Sequence, residues 1–248
     1  MQRSQAESEP VEDYLRFVER RAELARLEAQ ARQRKSILVH GPEGVGKTRL
    51  LQEFLRTQPL ALYVSTTRSP HDLLLSLVSS IREKLGARSL PSNTSTMSTP
   101  SLKGVVNRVL GIEPFLIVLD HLEGPSRVVT KLVKELNYYG RTPIFMAARS
   151  PHMEDIGALQ PLCADRSERL EVMNWPLPIA LEFAHHEAER TGLRAFNLDA
   201  ALESIVQSSA GNPGSALHMV KMAHKSQYWC DDQLKFHVLY LDYRMGRR

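Results

Sequence analysis

One stretch of eight residues points to the fold of this chain of 248 residues: Gly41-Pro42-Glu43-Gly44-Val45-Gly46-Lys47-Thr48. It matches the pattern G-x-x-x-x-G-K-[ST] at every fixed position, and this pattern binds phosphate when it follows a buried strand and opens a helix. The apolar run at residues 37–39 precedes it, and a helical pattern over residues 47–56 follows it. The sequence therefore predicts a phosphate-binding loop between a strand and a helix.

Each part of this stretch has a physical role in binding a nucleotide. Glycines let the backbone wrap around phosphates with its N–H groups pointing inward, and the following helix presents its positive end to the anion. Lys47 is expected to neutralise the β- and γ-phosphates, and the Thr48 hydroxyl to ligate Mg²⁺. The alternative is a glycine turn beside a surface lysine.

A second candidate metal ligand follows the apolar run at residues 115–119. Asp120 ends this run, so it is expected at the carboxyl edge of a parallel sheet, where it would hold Mg²⁺ through water. The alternative is an aspartate that caps a turn. Many ATPases place an acidic residue at the next position to polarise the attacking water, but this chain has His121 there. Glu123 is the alternative base, so the identity of the base stays open and slow hydrolysis is expected.

The order of predicted elements indicates an α/β fold. Apolar runs alternate with helical patterns, which predicts a parallel sheet with helices on both faces. A Ser- and Thr-rich stretch at residues 89–101 is expected to be an exposed loop. The predicted strands are residues 37–39, 60–64, 115–119, 143–148 and 169–172, and the predicted helices between them include residues 47–56, 69–85 and 126–139.

The pattern changes after Asn174. Three helices without intervening strands are predicted at residues 177–190, 198–209 and 213–225, with Asn197 and Asn212 as caps, so this part is expected to be a small helical lid. Alternating apolar residues in the tail favour a strand. The predicted organisation is a disordered N-terminus at 1–10, an α/β domain at 11–174, the helical lid at 175–228 and a strand-like tail at 229–248.

Composition excludes several classes of protein. A hydrophobic fraction of 42% and a charged fraction of 24% are ordinary for a globular chain. No apolar run approaches the ~20 residues that span a bilayer, and the N-terminus does not resemble a secretory signal. The two cysteines, Cys163 and Cys230, exclude a disulfide framework and a four-cysteine zinc site. A cytoplasmic protein is expected. The formal net charge is +4 and its positive residues are scattered along the chain, which gives only weak support for a nucleic-acid partner.

These motifs resemble the AAA+ and STAND branch of the P-loop ATPases, closest to the archaeal-ATPase and origin-recognition types, over about residues 17–225. The segment at residues 17–24 is similar to the family's F-V-G-R-x-x-E-L segment, which frames adenine, although Glu19 replaces the glycine. The resemblance implies ATP as the nucleotide and Val18 and Arg20 as adenine-site residues. An amphipathic helix is the alternative for this segment.

The same resemblance implies roles for residues further along the chain. Arg149 follows the strand at 143–148, in the place of a first sensor that reads the γ-phosphate; a surface arginine is the alternative. Residues 211–214, G-N-P-G, resemble the family's G-N-P motif, which implies that Pro213 approaches the nucleotide; a helix cap with a first-turn proline is the alternative. Arg166 or Arg169 is a candidate arginine finger, with surface ion pairing as the alternative.

The function that these observations favour is ATP- and Mg²⁺-dependent switching. The resemblance implies binding of ATP and ADP and slow hydrolysis of ATP to ADP and phosphate, with a protein partner or a second copy of the chain as the receiver of the signal. Two alternatives stay open from the sequence. One is a DNA-associated AAA+ ATPase, and the other is a scaffold or signalling protein whose nucleotide is structural.

Overall fold

The computed structural model describes residues 20–86 and 90–246, without the side chain of Tyr139. The predicted disordered N-terminus and the start of the segment at residues 17–24, including Val18, lie outside the described residues. The strands are β1 (Ile37–His40), β2 (Ala61–Val64), β3 (Leu116–Leu122), β4 (Ile144–Ala148), β5 (Arg169–Glu171), β6 (Trp229–Cys230) and β7 (Gln233–Leu234). The α-helices are α1 (Arg21–Arg32), α2 (Lys47–Thr57), α3 (Pro70–Leu85), α4 (Thr99–Ile112), α5 (Arg127–Gly140), α6 (Met153–Ile156), α7 (Leu177–Thr191), α8 (Leu198–Ser208), α9 (Pro213–Met222) and α10 (Phe236–Gly246).

The described chain forms two compact units. The first runs to Gly41 and continues over Lys47–Val172. The second consists of Pro42–Gly46 together with the chain from Met173 onward. Five residues of the phosphate-loop motif therefore pack with the helical part of the chain, a grouping that the sequence pattern does not reveal.

The first unit contains a five-stranded sheet in the order β2-β3-β4-β1-β5, and every neighbouring pair is parallel. The predicted parallel α/β fold is confirmed, and each predicted strand of the sheet is present within two or three residues of its predicted bounds. The central strands are buried apolar runs because helices cover the sheet. In a parallel sheet the carboxyl ends share one edge, so β1, β3 and β4 deliver their following residues to the same place.

Helix starts in the first unit follow the predicted capping chemistry. The Ser69 hydroxyl accepts a hydrogen bond from the Asp72 N–H at 3.1 Å, and Ser126 does the same for Val129 at 3.3 Å. The helix α5 ends at Gly140, one residue beyond the predicted range of 126–139, and Arg141 after it adopts the left-handed conformation, with φ 45°. The helices of this unit are thus specified locally, even where one terminus shifts by a residue.

The predicted exposed loop at residues 89–101 is confirmed in part, because the described residues 90–98 are mostly exposed and irregular while the last three residues of the range are helical. A short 3₁₀ helix covers Thr94–Thr96, and α4 begins at Thr99. The Ser98 hydroxyl accepts a hydrogen bond from the Ser101 N–H, and proline lies in the first turn of the helix, so the Ser- and Thr-rich composition is here a helix start. The helix is stable in this place because it buries Leu102, Val106 and Leu110 in the core.

The second unit has its own core, built around α7, α8 and α9. Asn212 caps α9 as predicted, because its Oδ1 accepts a hydrogen bond from the Ser215 N–H at 3.0 Å. Asn197 does not cap α8 with its side chain. Its amide pairs instead with the backbone of Leu234, accepting from the N–H at 2.9 Å and donating to the carbonyl at 3.1 Å. The side chain thus ties the start of α8 to the strand β7.

The predicted strand-like tail is wrong for most of its length. Only β6 and β7 form a short antiparallel hairpin, and α10 occupies Phe236–Gly246. Leu239 and Tyr243 are buried four residues apart, which places them on one helical face against the core of the second unit. Most of the alternating apolar residues that favoured a strand are only half-buried. The burial of Leu239 and Tyr243 on one face stabilises the helix instead.

Candidate phosphate and metal site

The loop between β1 and α2 has the backbone that its glycines permit. Gly44 has φ 77° and Gly46 has φ 101°, a region that residues with a Cβ rarely adopt. At Gly46 a Cβ would meet no heavy atom within 4 Å, so the backbone angle alone requires glycine there. Val45 between them is buried, and its N–H donates a hydrogen bond to the Pro42 carbonyl at 3.4 Å. The predicted phosphate loop is therefore present as an ordered turn at a helix N-terminus.

Lys47 lies at the first position of α2 and reaches back over the loop. Its Nζ donates a hydrogen bond to the Gly41 carbonyl at 2.8 Å. The Gly41 N–H in turn donates to the carbonyl of Arg149 at 3.2 Å. The ammonium is therefore held at the mouth of the loop, where the positive end of the helix points.

Asp120 lies near the end of β3 and is 1% exposed. Its Oδ1 accepts the N–H of His121 at 2.9 Å, and its Oδ2 accepts the hydroxyl of Tyr63 at 3.0 Å. Burial first, and then the negative charge of Asp120, raise the pKa of Tyr63 to about 12. The phenol is therefore neutral at ordinary pH and acts as a permanent donor to the buried carboxylate.

Sequence reasoning missed Tyr63. The signal that could have found it is a hydroxyl-bearing aromatic residue inside the apolar strand β2, next to β3 in the sheet. The sequence identified its partner, Asp120, but it did not show that β2 pairs with β3. Side chains that support a site from a neighbouring strand require knowledge of strand order.

His121 joins the two predicted metal ligands. Its Nε2 lies 3.3 Å from the Thr48 Oγ1 and 3.4 Å from the Asp120 Oδ2. The residue has φ 56°, and the pairing of β3 with β4 shifts register between Leu119 and Leu122. Such irregularities in a strand re-aim side chains, and they recur next to functional sites. Thr48, Asp120 and His121 therefore converge on one small region.

The other two predicted catalytic residues lie at the same edge of the sheet. Arg149 is exposed directly after β4, the strand that lies between β1 and β3 in the sheet. Glu123 is exposed in the bend beyond β3, three positions after Asp120. The edge thus carries one arginine and one further carboxylate whose side chains are open to solvent.

In the second unit, the G-N-P-G segment contacts the loop residues. Asn212 is 6% exposed, and its Nδ2 donates to the carbonyl of Glu43 at 2.9 Å. The Gly214 N–H donates to the carbonyl of Gly44, also at 2.9 Å. A Cβ at Gly214 would lie 2.7 Å from the Gly44 Cα, so this contact requires glycine. Pro213 occupies the first turn of α9 and is buried, beside these contacts. The sequence identified Asn212 as a cap but not as a partner of the loop.

The candidate arginine fingers are tied into the fold to different degrees. The Arg169 guanidinium donates to the carbonyls of Cys163 and Ala164, at 2.8 and 3.3 Å, which fixes it at the end of a 3₁₀ helix. Arg166 is exposed, and its carbonyl accepts a hydrogen bond from Arg26. Arg169 therefore has a structural role in this chain.

His40, the last residue of β1, has a lowered pKa. Burial lowers the pKa of His40 below its ordinary value of 6.5, and Arg169 and Lys47 act in the same direction, while Glu171 opposes them. The imidazole is therefore neutral at pH 7. His40 therefore adds no positive charge next to that of Lys47.

Taken as chemistry, the edge offers two kinds of binding group. Lys47 and the backbone N–H groups at the start of α2 suit an anion such as a phosphate chain. The Thr48 hydroxyl and the Asp120 carboxylate are hard oxygen donors that suit a divalent cation. In the described ranges, no three His, Cys, Asp or Glu side chains gather at one point, so a cation here would need ligands from a bound molecule as well.

Part of the chain is similar to a known family of domains. Residues 16–137 match the family model described as an AAA ATPase domain. No curated protein matches the sequence. None of the helices within 20–86 and 90–246 combines the length and the apolar character needed to cross a membrane.

Solved structures share the fold. A Walker-type ATPase of Pyrococcus abyssi is 17% identical, with a TM-score of 0.63, and the match covers 92% of this chain and 71% of that one. Cdc6p of Pyrobaculum aerophilum is 11% identical with a TM-score of 0.62, over 92% of this chain and 62% of that one. The Orc1 protein of Aeropyrum pernix, in complex with DNA, is 17% identical with a TM-score of 0.63, over 92% and 65%. This chain thus spans less than two thirds of the latter two proteins.

Proposed function

We propose that this chain binds ATP together with Mg²⁺ at the loop of residues 41–48, because residues 16–137 match an AAA ATPase domain and the fold is shared with origin-recognition and archaeal Walker-type ATPases. We further propose that the ATP and ADP forms act as two states of a molecular switch that slow hydrolysis resets.

One observation carries the proposal. Thr48 and Asp120 are 72 positions apart in the sequence, yet the Thr48 Oγ1 and the Asp120 Oδ2 lie within 3.3 and 3.4 Å of the same imidazole nitrogen. Thr48 lies in the first turn of α2, which Lys47 begins. A hydroxyl and a carboxylate are the donor types that Mg²⁺ accepts, with phosphate oxygens completing its shell. The residues present therefore fit the metal, which would neutralise developing charge on the phosphates when bound.

The residues of the chain divide the work of binding. Lys47 would exchange the Gly41 carbonyl for phosphate oxygens, and the N–H groups of the loop and of α2 would hold the β-phosphate. Arg149 would contact the γ-phosphate, since it emerges between β1 and β3 and a guanidinium binds phosphate bidentately. Val18 and Pro213 would adjoin the nucleoside, as the family resemblance implies. Glu123 or His121 would orient water, and the absence of a carboxylate directly after Asp120 supports slow turnover.

Nucleic acid is the weaker of the partner proposals. The DNA in the Aeropyrum pernix Orc1 structure belongs to that protein. In this chain, Arg34 of the basic cluster at residues 32–35 is used within the fold, donating to the carbonyls of Pro114 at 2.8 Å and of Phe115 and Arg141 at 3.3 Å. The proposed receiver of the signal is therefore a protein partner or a second copy of the chain.

Calorimetric titration of ATP in the presence of Mg²⁺ tests the binding site. Lys47→Ala removes a charge-assisted contact of about 1.5–3 kcal/mol, so ATP should bind roughly tenfold to a hundredfold more weakly. Lys131→Ala, at an exposed position of α5, is the matched control and should bind like the native protein. Equal affinity of the native and Lys47→Ala proteins would place the nucleotide elsewhere.

The switch has its own test in Arg149→Ala. A residue that contacts only the γ-phosphate should weaken ATP by about tenfold and leave ADP nearly unchanged, and the native protein should turn over ATP well below the ~10 s⁻¹ median of enzymes. Equal loss for ATP and ADP would remove Arg149 from the γ-phosphate. Turnover at or above that median would contradict a slow switch, and a nucleotide that never exchanges would favour the scaffold alternative.

A further inference from the structure

His121 occupies an unusual backbone conformation at the place where Thr48 and Asp120 meet. Its φ of 56° lies in the left-handed region, which residues with a side chain seldom adopt, although histidine does so more often than most. The register of β3 against β4 shifts at the same point. Strained backbone of this kind occurs often at binding sites, and here the side chain that it re-aims reaches a candidate site.

The distances around the ring suit shared coordination. Two ligands next to each other around an octahedral cation with bonds of about 2.1 Å lie about 3.0 Å apart, and around a tetrahedral one about 3.4 Å apart. The His121 Nε2 lies 3.3 Å from the Thr48 Oγ1 and 3.4 Å from the Asp120 Oδ2. The side chain of His121 is 62% exposed, so the ring can also adjust when phosphates arrive.

Imidazole nitrogen changes which cation a site prefers. Carboxylate and hydroxyl oxygens suit Mg²⁺, whereas imidazole favours first-row transition ions. The affinity of such a site for these ions rises in the order Mn²⁺ < Fe²⁺ < Co²⁺ < Ni²⁺. A carboxylate at the position after Asp120 would add a further oxygen, but this chain adds a nitrogen. The donor set is therefore mixed rather than all-oxygen.

We propose that the Nε2 of His121 is a third protein ligand when the nucleotide-associated cation is a first-row transition dication, and that Mg²⁺, which the oxygen ligands hold, gains little from it. The inference rests on the proposed function, because the phosphates of the bound nucleotide supply the remaining ligands. It assigns His121 to metal selection, a role distinct from that of a base. Tyr63 supports the arrangement by fixing the Asp120 Oδ2 on its other side.

The test uses the full chain with ATP and Mn²⁺ and records pulsed electron paramagnetic resonance of the metal. A coupled ¹⁴N nucleus should appear in the native protein, should become ¹⁵N when the protein is uniformly ¹⁵N-labelled, and should vanish in His121→Ala. His237→Ala, at an exposed position of the second unit, is the control and should keep the coupling. The comparison of unlabelled and ¹⁵N-labelled protein shows that the coupled nitrogen belongs to the protein rather than to adenine. This comparison needs no variant.

Cation titrations of ATP binding give a second readout. His121→Ala should weaken Co²⁺-supported binding by about tenfold or more and leave Mg²⁺-supported binding within about twofold, which corresponds to the loss of one ligand. If ATP binds but the Mn²⁺ spectrum shows no coupling to protein nitrogen, the inference about His121 is wrong while the proposed function stands. A His121→Ala protein that binds every cation more tightly would also overturn it, since the ring would then block the site. No ATP binding with either cation would overturn the proposed function itself.

Discussion

The loop after β1 and the carboxyl end of β3 both contribute to the candidate site, and they are built in different ways. The loop is contiguous in the sequence, and its turn depends on backbone angles that Gly44 and Gly46 permit. The end of β3 is assembled across the sheet, because Asp120 pairs with Tyr63 across 57 positions and His121 pairs with Thr48 across 73. The first region is therefore specified locally, and the second depends on the tertiary fold.

The largest expected effect contrasts a glycine of the loop with a glycine of a helix. Gly46→Ala places a Cβ at φ 101°, which costs about 1–2 kcal/mol or distorts the loop, so ATP affinity should fall at least about tenfold. Gly104→Ala lies on the exposed face of α4 with open space around it, and it should stabilise the protein by about 0.5–1 kcal/mol. Urea unfolding and ATP titration of both variants check the signs. A harmless Gly46→Ala would mean that the loop is not specified by its backbone.

A smaller effect is expected from Tyr63→Phe, which removes one hydroxyl from the β3 region. The hydrogen bond to the buried carboxylate of Asp120 contributes about 1.5–3 kcal/mol, so the free energy of unfolding should fall by about that amount at neutral pH. A double-mutant cycle with Asp120→Ala, followed by urea unfolding, isolates the pair. If Tyr63→Phe costs as much in the Asp120→Ala background as in the native one, the two side chains are not coupled.

The smallest effect concerns pH and His40, at the boundary between β1 and the loop. Because its folded pKa is lowered, the unfolded state binds the proton more readily, so stability is fully present above the ordinary pKa of 6.5 and falls as pH decreases toward the folded pKa. Unfolding measured at pH 7.5 and 5.5 should show a larger loss in the native protein than in His40→Gln. An identical loss in both proteins would show that other groups control the acid response.

The same contrast explains what the sequence could and could not predict. The loop, the strand that ends in Asp120 and the parallel sheet follow from local patterns, since glycine angles, apolar runs and serine caps act over a few residues. Tyr63 and the second contact of Asn212 were missed because their partners come from distant segments. In α4 and α10, burial in a core outweighed a Ser- and Thr-rich composition in one case and an apparent alternation in the other.

The central claim is that Asp120 and Thr48 hold a cation beside the phosphates of a bound nucleotide. Calorimetric titration of ATP with Mg²⁺ and with a chelator, in the native protein and in Asp120→Asn, tests it most directly. Mg²⁺ should strengthen ATP binding at least about tenfold in the native protein, worth ~1.4 kcal/mol, and the gain should disappear in Asp120→Asn while metal-free affinity is kept. The same Mg²⁺-dependent gain in both proteins would contradict the account, because the cation would then be held without Asp120.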